Sequence, residues 1–267
     1  MHEESKWGGE PNPVDDPRVT RLMKGVVRAK IDSDAAKKEA VTPTEVVTPS
    51  FLVAHEAFFG VGADSPDDIM KWAACCLGSF GALRKTELLG SFYYPERRLR
   101  IDQIEFHRAD AGHTIITVPA SHNADCISHL SVKLGVTKAD PLARNKPLLI
   151  YSAVAVRAMW RWVNLRVTKR RYCVPEQLFW DGTNHLSMSR LSEYVVGMYT
   201  AIGKDAPKIT GKAFRKGAAS ELVSSGIPNS VGADLGRWKT AAMVDTYATP
   251  AAKADRYEKM SRQLGQS

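Results

Sequence analysis

Between residues 101 and 150 a chain otherwise patterned for helices changes its period. IDQIEF, HTIITV and HLSVKL are short β-prone runs with alternation, divided by polar turns. On either side apolar residues recur three and four apart. Ile69, Trp72, Ala73 and Cys76 form one such stripe, Val156, Met159, Trp160 and Val163 a second, and Leu191, Tyr194, Val195, Met198 and Ile202 a third. A helical chain with one strand-rich insertion is a narrow class.

Local signals place several ends. Ser65-Pro66-Asp67-Asp68 predicts a helix start, with a capping serine, proline in the first turn and acids at the positive dipole end. GKAFRKGAASELVSSG predicts a short helix closed by Gly226. The first sixteen residues are polar and rich in Gly and Pro, and PRVTRLMKGVVRAK follows with Val19, Leu22, Met23 and Val26 at helical spacing. The stretch DSDAAKKEAVTPTEVVTP reads as a linker. The expected division is therefore a tail, one helix and a linker over 1–45, and a main domain over 46–267.

Charge and cysteine usage narrow the class further. Lys and Arg outnumber Asp and Glu by 37 to 29, giving +8, which suits a polyanionic partner, nucleic acid before an anionic membrane. Cys75, Cys76, Cys126 and Cys173 contain no C-x-x-C pair, so they read as reduced thiols of an intracellular protein. No histidine or cysteine spacing suits a metal, no signal-peptide pattern opens the chain, and Arg157 breaks the apolar run LLIYSAVAV well short of a membrane span.

Four short motifs carry candidate chemistry. In GALRKTELLG, Arg84 and Glu87 are three apart and share a face in a helical turn; alone, such a pair reads as a surface ion pair. In GKAFRKGAAS, Lys212 and Arg215 share a face at a helix start, where two cations are misplaced unless an anion lies there. VTKADPLARNKP, residues 136–147, is a turn between two β-prone runs from which Lys138 and Lys146 reach. In LGRWKTAAMVDTY, Trp238 precedes a short predicted helix ending at Tyr247, a spacing equally suited to core packing.

In this order the motifs resemble the catalytic domain of the tyrosine recombinases, the phage-integrase family, over roughly residues 45–267. The resemblance is sharpest in G-x-L-R-x-x-E-L, F-R-x-G-A-A and L-G-R-W with its tyrosine, and the wording is most like the eukaryotic Crypton-type transposon recombinases. It implies an α+β, mainly helical fold with a small antiparallel three-stranded sheet, preceded here by a remnant helical segment. By position, Arg84 and Arg215 match the two arginines that hold the scissile phosphate, Trp238 the His/Trp donor and Tyr247 the nucleophile. Lys138 matches the general-acid lysine of the β-turn, with Lys133 and Lys146 as runners-up because the strand register is ambiguous. Lys212 stands where histidine is usual. Tyr257 is wrongly spaced from Trp238 for the nucleophile.

The residue types suit that chemistry. A tyrosine oxygen attacking a DNA phosphodiester leaves a covalent 3′-phosphotyrosine, which conserves the bond energy so that rejoining needs no ATP. Forked, permanently charged guanidiniums can neutralise the phosphoryl oxygens without a metal or cofactor. A lysine can supply the leaving oxygen's proton. Free tyrosine has a pKa of about 10, and Lys212, unlike histidine, can lower it only through its charge. The resemblance thus implies DNA strand cleavage and rejoining, with double-stranded DNA as partner, self-association as a tetramer with the C-terminal tail in trans, no membrane, and a place in the nucleus of a eukaryote or with cytoplasmic DNA otherwise. The alternative expectation is a recombinase-fold DNA-binding protein that no longer cleaves.

Overall fold

The computed structural model describes residues 46–90, 98–108, 115–116, 124–135, 147–168, 177–205 and 209–264. The helix expected within residues 17–30 lies outside them.

The centre of the fold is a helix that is apolar almost all round. After α1 (Pro49–His55) and a π-helical turn (Glu56–Val61), α2 (Pro66–Phe80) starts at the expected place: Ser65 Oγ accepts the Asp68 amide at 3.0 Å, and Pro66 opens the first turn. From Ile69 to Ser79 every residue but Lys71 is buried, the pattern of a helix enclosed by neighbours rather than lying on a surface. The adjacent Cys75 and Cys76 sit in this enclosed stretch, and burial pushes both thiols well up, so they pack as small apolar groups. Two further helices, α4 (Ala153–Thr168) and α5 (Met188–Ala201), flank it through Met159, Trp162, Val163, Leu191, Val195 and Met198.

The strand-rich insertion is a four-stranded antiparallel sheet, order β2-β1-β3-β4. The three expected runs supply β1 (Ile104–Arg108), β2 (Ile115–Ile116) and β3 (Ile127–Val132), and LLI adds β4 (Leu148–Ile150) as a fourth. The apolar start of IDQIEF is a 3-10 turn rather than strand, because Gln103 folds back to accept the Arg100 amide at 2.8 Å. Alternation sorts the faces. Phe106, Leu130 and Ile150 line up across β1, β3 and β4 and face inward, Phe106 meeting Trp160 edge-on at 5.0 Å. On the opposite face His107, His129 and Tyr151 stack in a row, 4.3 and 4.7 Å apart. The 133–147 link that carries the lysine candidates therefore joins two paired antiparallel strands.

The C-terminal third forms a second core. α6 (Ala213–Ser224), α7 (Asn229–Gly236), α8 (Ala242–Tyr247) and α9 (Pro250–Leu264) bury Ala218, Ala219, Val223, Ala233, Val244, Ala248 and Ala252 together. α6 is the wall between the cores: Phe214 belongs to the first and Ala218 to the second. Gly217 allows this, since a Cβ there would stand 2.1 Å from the Val47 carbonyl oxygen. α9, the C-terminal tail expected to act in trans, packs here against α6 of its own chain, with Lys259 donating to the Ser224 carbonyl at 2.8 Å.

Candidate functional site

Arg215 is on the first turn and a half of α6 and is 1% exposed. Such burial demands acceptors, and two helix C-termini supply them. Nη1 donates to the Ala82 carbonyl just beyond α2, and Nη2 to the Gly236 carbonyl at the end of α7, both at 2.9 Å. Helix C-termini carry the negative end of the dipole, so one guanidinium caps two of them. Both turns are strained. Ala82 (φ 47°) and Arg237 (φ 53°) are the non-glycine residues with positive φ among those described, and both lie against Arg215. Left-handed backbone at residues other than glycine costs of order 1 kcal/mol each and concentrates at functional sites.

Beneath Arg215 lies a buried carboxylate. Glu87, in the short helix α3 (Lys85–Leu88), is 2% exposed at its side chain and faces three guanidiniums. Its Oε1 accepts Arg84 Nη1 at 2.6 Å. Its Oε2 accepts the Arg84 amide at 2.9 Å and Arg237 Nη2 at 3.2 Å, while Arg215 Nη1 stands off at 3.8 Å. The R-x-x-E pair is therefore the base of a cluster rather than a surface ion pair. Burial raises the Glu87 carboxyl, but Arg237, the Arg84 amide and the Arg84 guanidinium outweigh it, and the net shift is downward. Arg215 is lowered to about 10 by burial and the charge of Arg84, with Arg237 adding to the pull and Glu87 and Tyr247 opposing it. It remains protonated at neutral pH. Three positive charges against one carboxylate leave the cluster with two in excess, which favours an anion.

The aromatic pair closes the other side. α7 ends in the left-handed turn at Arg237, and the Trp238 amide bonds back to the Ala233 carbonyl at 2.8 Å. This folds the indole over Gly236, where a Cβ would lie only 1.7 Å from the ring. The letters of L-G-R-W thus have a geometric reading: glycine admits the ring, and Arg237 makes the turn. Trp238 and Tyr247 have ring centroids 5.8 Å apart, and the Arg215 guanidinium lies 4.8 Å from the first and 5.6 Å from the second. Trp238 is 6% exposed, while Tyr247, the last residue of α8, is partly open. Arg215 Nε and Trp238 Nε1 are buried donors with no hydrogen-bond partner among the described residues. Native structures keep few such donors, and here two neighbour one tyrosine.

Arg84, Arg215, Trp238 and Tyr247, drawn from positions 84 to 247, therefore meet in one cluster. Lys212 does not share the buried face of Arg215: it is the exposed N-cap residue of α6, and its neighbour Gly211 packs on the Lys85 side chain beside Arg84. The geometry differs from the shared-face expectation because two helix C-termini draw Arg215 inward. Lys133 is exposed at the end of β3 and paired with Glu105. Lys138 and Lys146 lie outside the described residues. Tyr257 is 69% exposed on α9, away from the contacts that join Tyr247 to Arg215 and Trp238. Sequence reasoning gave Arg237 no role; its signal was an arginine wedged between Gly236 and Trp238.

No protein-family model matches the chain, and no curated protein matches it. Among solved structures it is similar to the Tn1549 transposon integrase in complex with transposon right-end DNA, at 14% identity and a TM-score of 0.46, over 84% of this chain and 67% of that one.

Proposed function

We propose that this chain is a DNA breaking and rejoining enzyme of the tyrosine-recombinase type, with residues 46–267 as its catalytic domain. The observation that carries the reading is the meeting of Arg84, Arg215, Trp238 and Tyr247 around one over-charged buried cluster. A fold needs no such excess of cations for stability, whereas a phosphoryl group with charge spread over its oxygens does need it.

In this reading the Tyr247 oxygen attacks a DNA phosphorus and forms the P–O bond of a 3′-phosphotyrosine. The bond from phosphorus to the 5′ oxygen breaks, and Lys138 protonates that oxygen as it leaves. The tyrosyl proton passes to solvent, and the Arg215 guanidinium lies beside the ring, 5.6 Å from its centroid. Arg84, Arg215 and the Trp238 N–H hold the phosphoryl oxygens, and Lys212 adds charge from the exposed rim. Attack by the freed 5′ hydroxyl of a second strand reverses the steps without ATP. Metal-independent action, a tetramer exchanging α9 in trans, Crypton-like kinship, and residence with the cell's DNA (the nucleus in a eukaryote) belong to the same proposal.

The test is covalent capture. Purified chain is mixed with a pool of nicked duplexes of randomised core sequence, denatured, and assayed for protein-linked DNA. The expected result is an adduct that Tyr247→Phe abolishes; no adduct from any sequence sinks the reading. A second reading, a DNA-binding protein of the same fold that no longer cleaves, is favoured by Lys212 in the histidine position and by Arg215, both of whose Nη groups donate to backbone carbonyls. Equal, salt-sensitive DNA binding by wild type and Tyr247→Phe, without adduct, would establish it.

A further inference from the structure

We infer that Arg237 is a positioning residue, whose guanidinium occupies the Glu87 carboxylate so that Arg84 and Arg215 keep N–H donors for a phosphoryl oxygen. The inference rests on the reading of the cluster as a phosphate site.

A buried carboxylate beside two phosphate-binding arginines is a competitor for the substrate. Its oxygens accept the same forked donors with the same geometry, and a guanidinium locked onto Glu87 is lost to the ligand. The structure shows how the competition is held off. Arg237 Nη2 occupies Glu87 Oε2 at 3.2 Å, and Arg215 Nη1 is left 3.8 Å from the same oxygen, beyond hydrogen-bond length. Arg84 keeps a single guanidinium bond to Oε1 and is 30% exposed at its side chain, so it can still face a ligand. Arg237 itself is largely buried, and its remaining Nη2 contact is to the Gly81 carbonyl at 3.5 Å.

The backbone argues the same way. Arg237 holds φ 53° and ψ 45°, the left-handed turn that ends α7. Glycine forms that turn without strain and is the usual residue there. The turn therefore needs no arginine. What an arginine adds at this position is a side chain that reaches Glu87, 150 residues away in sequence.

Arg237→Gly separates the two roles, because it relaxes the turn while removing the competitor's partner. The readout is noncovalent: the affinity ratio between a nicked duplex bearing a 3′-phosphate and the same duplex bearing a 3′-hydroxyl, at fixed salt, which isolates the phosphate site from general DNA binding. Wild type is expected to favour the 3′-phosphate by about tenfold or more, of the order of one charge-assisted contact. Arg237→Gly should bring the ratio close to one, as Glu87 captures the freed arginines. Arg237→Gly with Glu87→Gln should recover it to within about threefold, because glutamine keeps the acceptor for the Arg84 amide but not the charge. Arg237→Lys, which keeps charge but not the fork, should fall between and covers the case in which the glycine variant does not fold.

An unchanged ratio in Arg237→Gly or Arg237→Lys overturns the inference, and so does a double variant no better than the single one. A wild type indifferent to the 3′-phosphate overturns it as well, since no phosphate site would then need protecting. The covalent-capture test is independent. A chain that prefers the 3′-phosphate yet never forms an adduct loses the cleavage reading and keeps this one.

Discussion

Two glycines on two helices should respond oppositely to the same methyl group. Glycine in a helix interior costs about 1 kcal/mol relative to alanine, so Gly→Ala stabilises wherever the methyl has room. Gly197, on the exposed side of α5, has nothing among the described residues within 4 Å of an added Cβ, and Gly197→Ala should gain that ~1 kcal/mol. Gly217 on α6 has the same propensity gain to offer, but its Cβ would stand 2.1 Å from the Val47 oxygen and 2.6 Å from its carbonyl carbon. Both sides of that clash are backbone. Val47 is fully buried, and its carbonyl accepts the buried Ser79 hydroxyl at 2.8 Å. Overpacking costs about 1–3 kcal/mol and a spoiled buried hydrogen bond a similar amount, so Gly217→Ala should destabilise by about 1–5 kcal/mol after the helix gain is subtracted. At about 2–4 °C per kcal/mol for a domain of this size, the midpoint should fall by roughly 2–20 °C, against a rise of about 2–4 °C for Gly197→Ala. Urea titration and calorimetry on the full chain read both. A Gly217→Ala protein as stable as wild type would refute the close approach of α6 to Val47, and with it the placement of Arg215 between two helix ends.

Gly236→Ala should force the indole of Trp238 off its seat and lower stability by about 1–3 kcal/mol in urea titration. Adding Trp238→Leu should then cost less than the two changes summed, and strict additivity would show that the ring does not cover Gly236. The pH dependence should have two steps. Burial, aided by the charge of Arg98, lowers the His185 pKa, so the unfolded chain takes up the proton first; stability is full above about pH 6.5 and falls as pH drops below it. Glu87 is held below its ordinary value, so its contribution is present above about pH 4.3 and is lost as pH falls through its folded value. Thermal midpoints between pH 7.5 and 3.5 should show both, and His185→Gln, which keeps a donor for the Leu89 carbonyl, should flatten the upper step alone.

What could be read from the sequence was what is encoded locally. The Ser65 cap, the glycine stop after α6 and the helical stripes each depend on residues within a turn or two of one another, and each formed. The sheet's fourth strand was harder, because three residues of LLI lead within three positions into a helix and carry no alternation of their own. The burial of Arg215 was not readable. Lys212 and Arg215 look equivalent as two cations at a helix start, and only the carbonyls of Ala82 and Gly236, brought from 133 and 21 residues away, make one of them an interior residue. The left-handed turns at Ala82 and Arg237 hide for a related reason. Neither residue type favours positive φ, so tertiary contact and not propensity selects it.

The structural ties of Arg215 decide which substitutions can inform on the proposed function. Removing its guanidinium strips a donor from two helix ends and leaves the Ala82 and Gly236 carbonyls without it, a loss of about 1–3 kcal/mol for each buried acceptor left unpaired. Lost activity in an Arg215→Ala protein therefore cannot distinguish a phosphate ligand from a structural tie. Tyr247→Phe has the opposite character. The ring contacts with Trp238 and Arg215 survive, the residue is only partly buried, and a single oxygen disappears. The strain at Ala82 and Arg237, the two charges in excess and the unpartnered N–H groups of Arg215 and Trp238 lie within one turn of that oxygen's neighbours. Packing alone gives no reason for those costs to fall together, and replacing such a cluster by apolar side chains is commonly stabilising. The oxyanion proposed beside Tyr247 would account for the excess charge and the unpartnered donors, which is why the one-oxygen change is the experiment that bears on the chemistry.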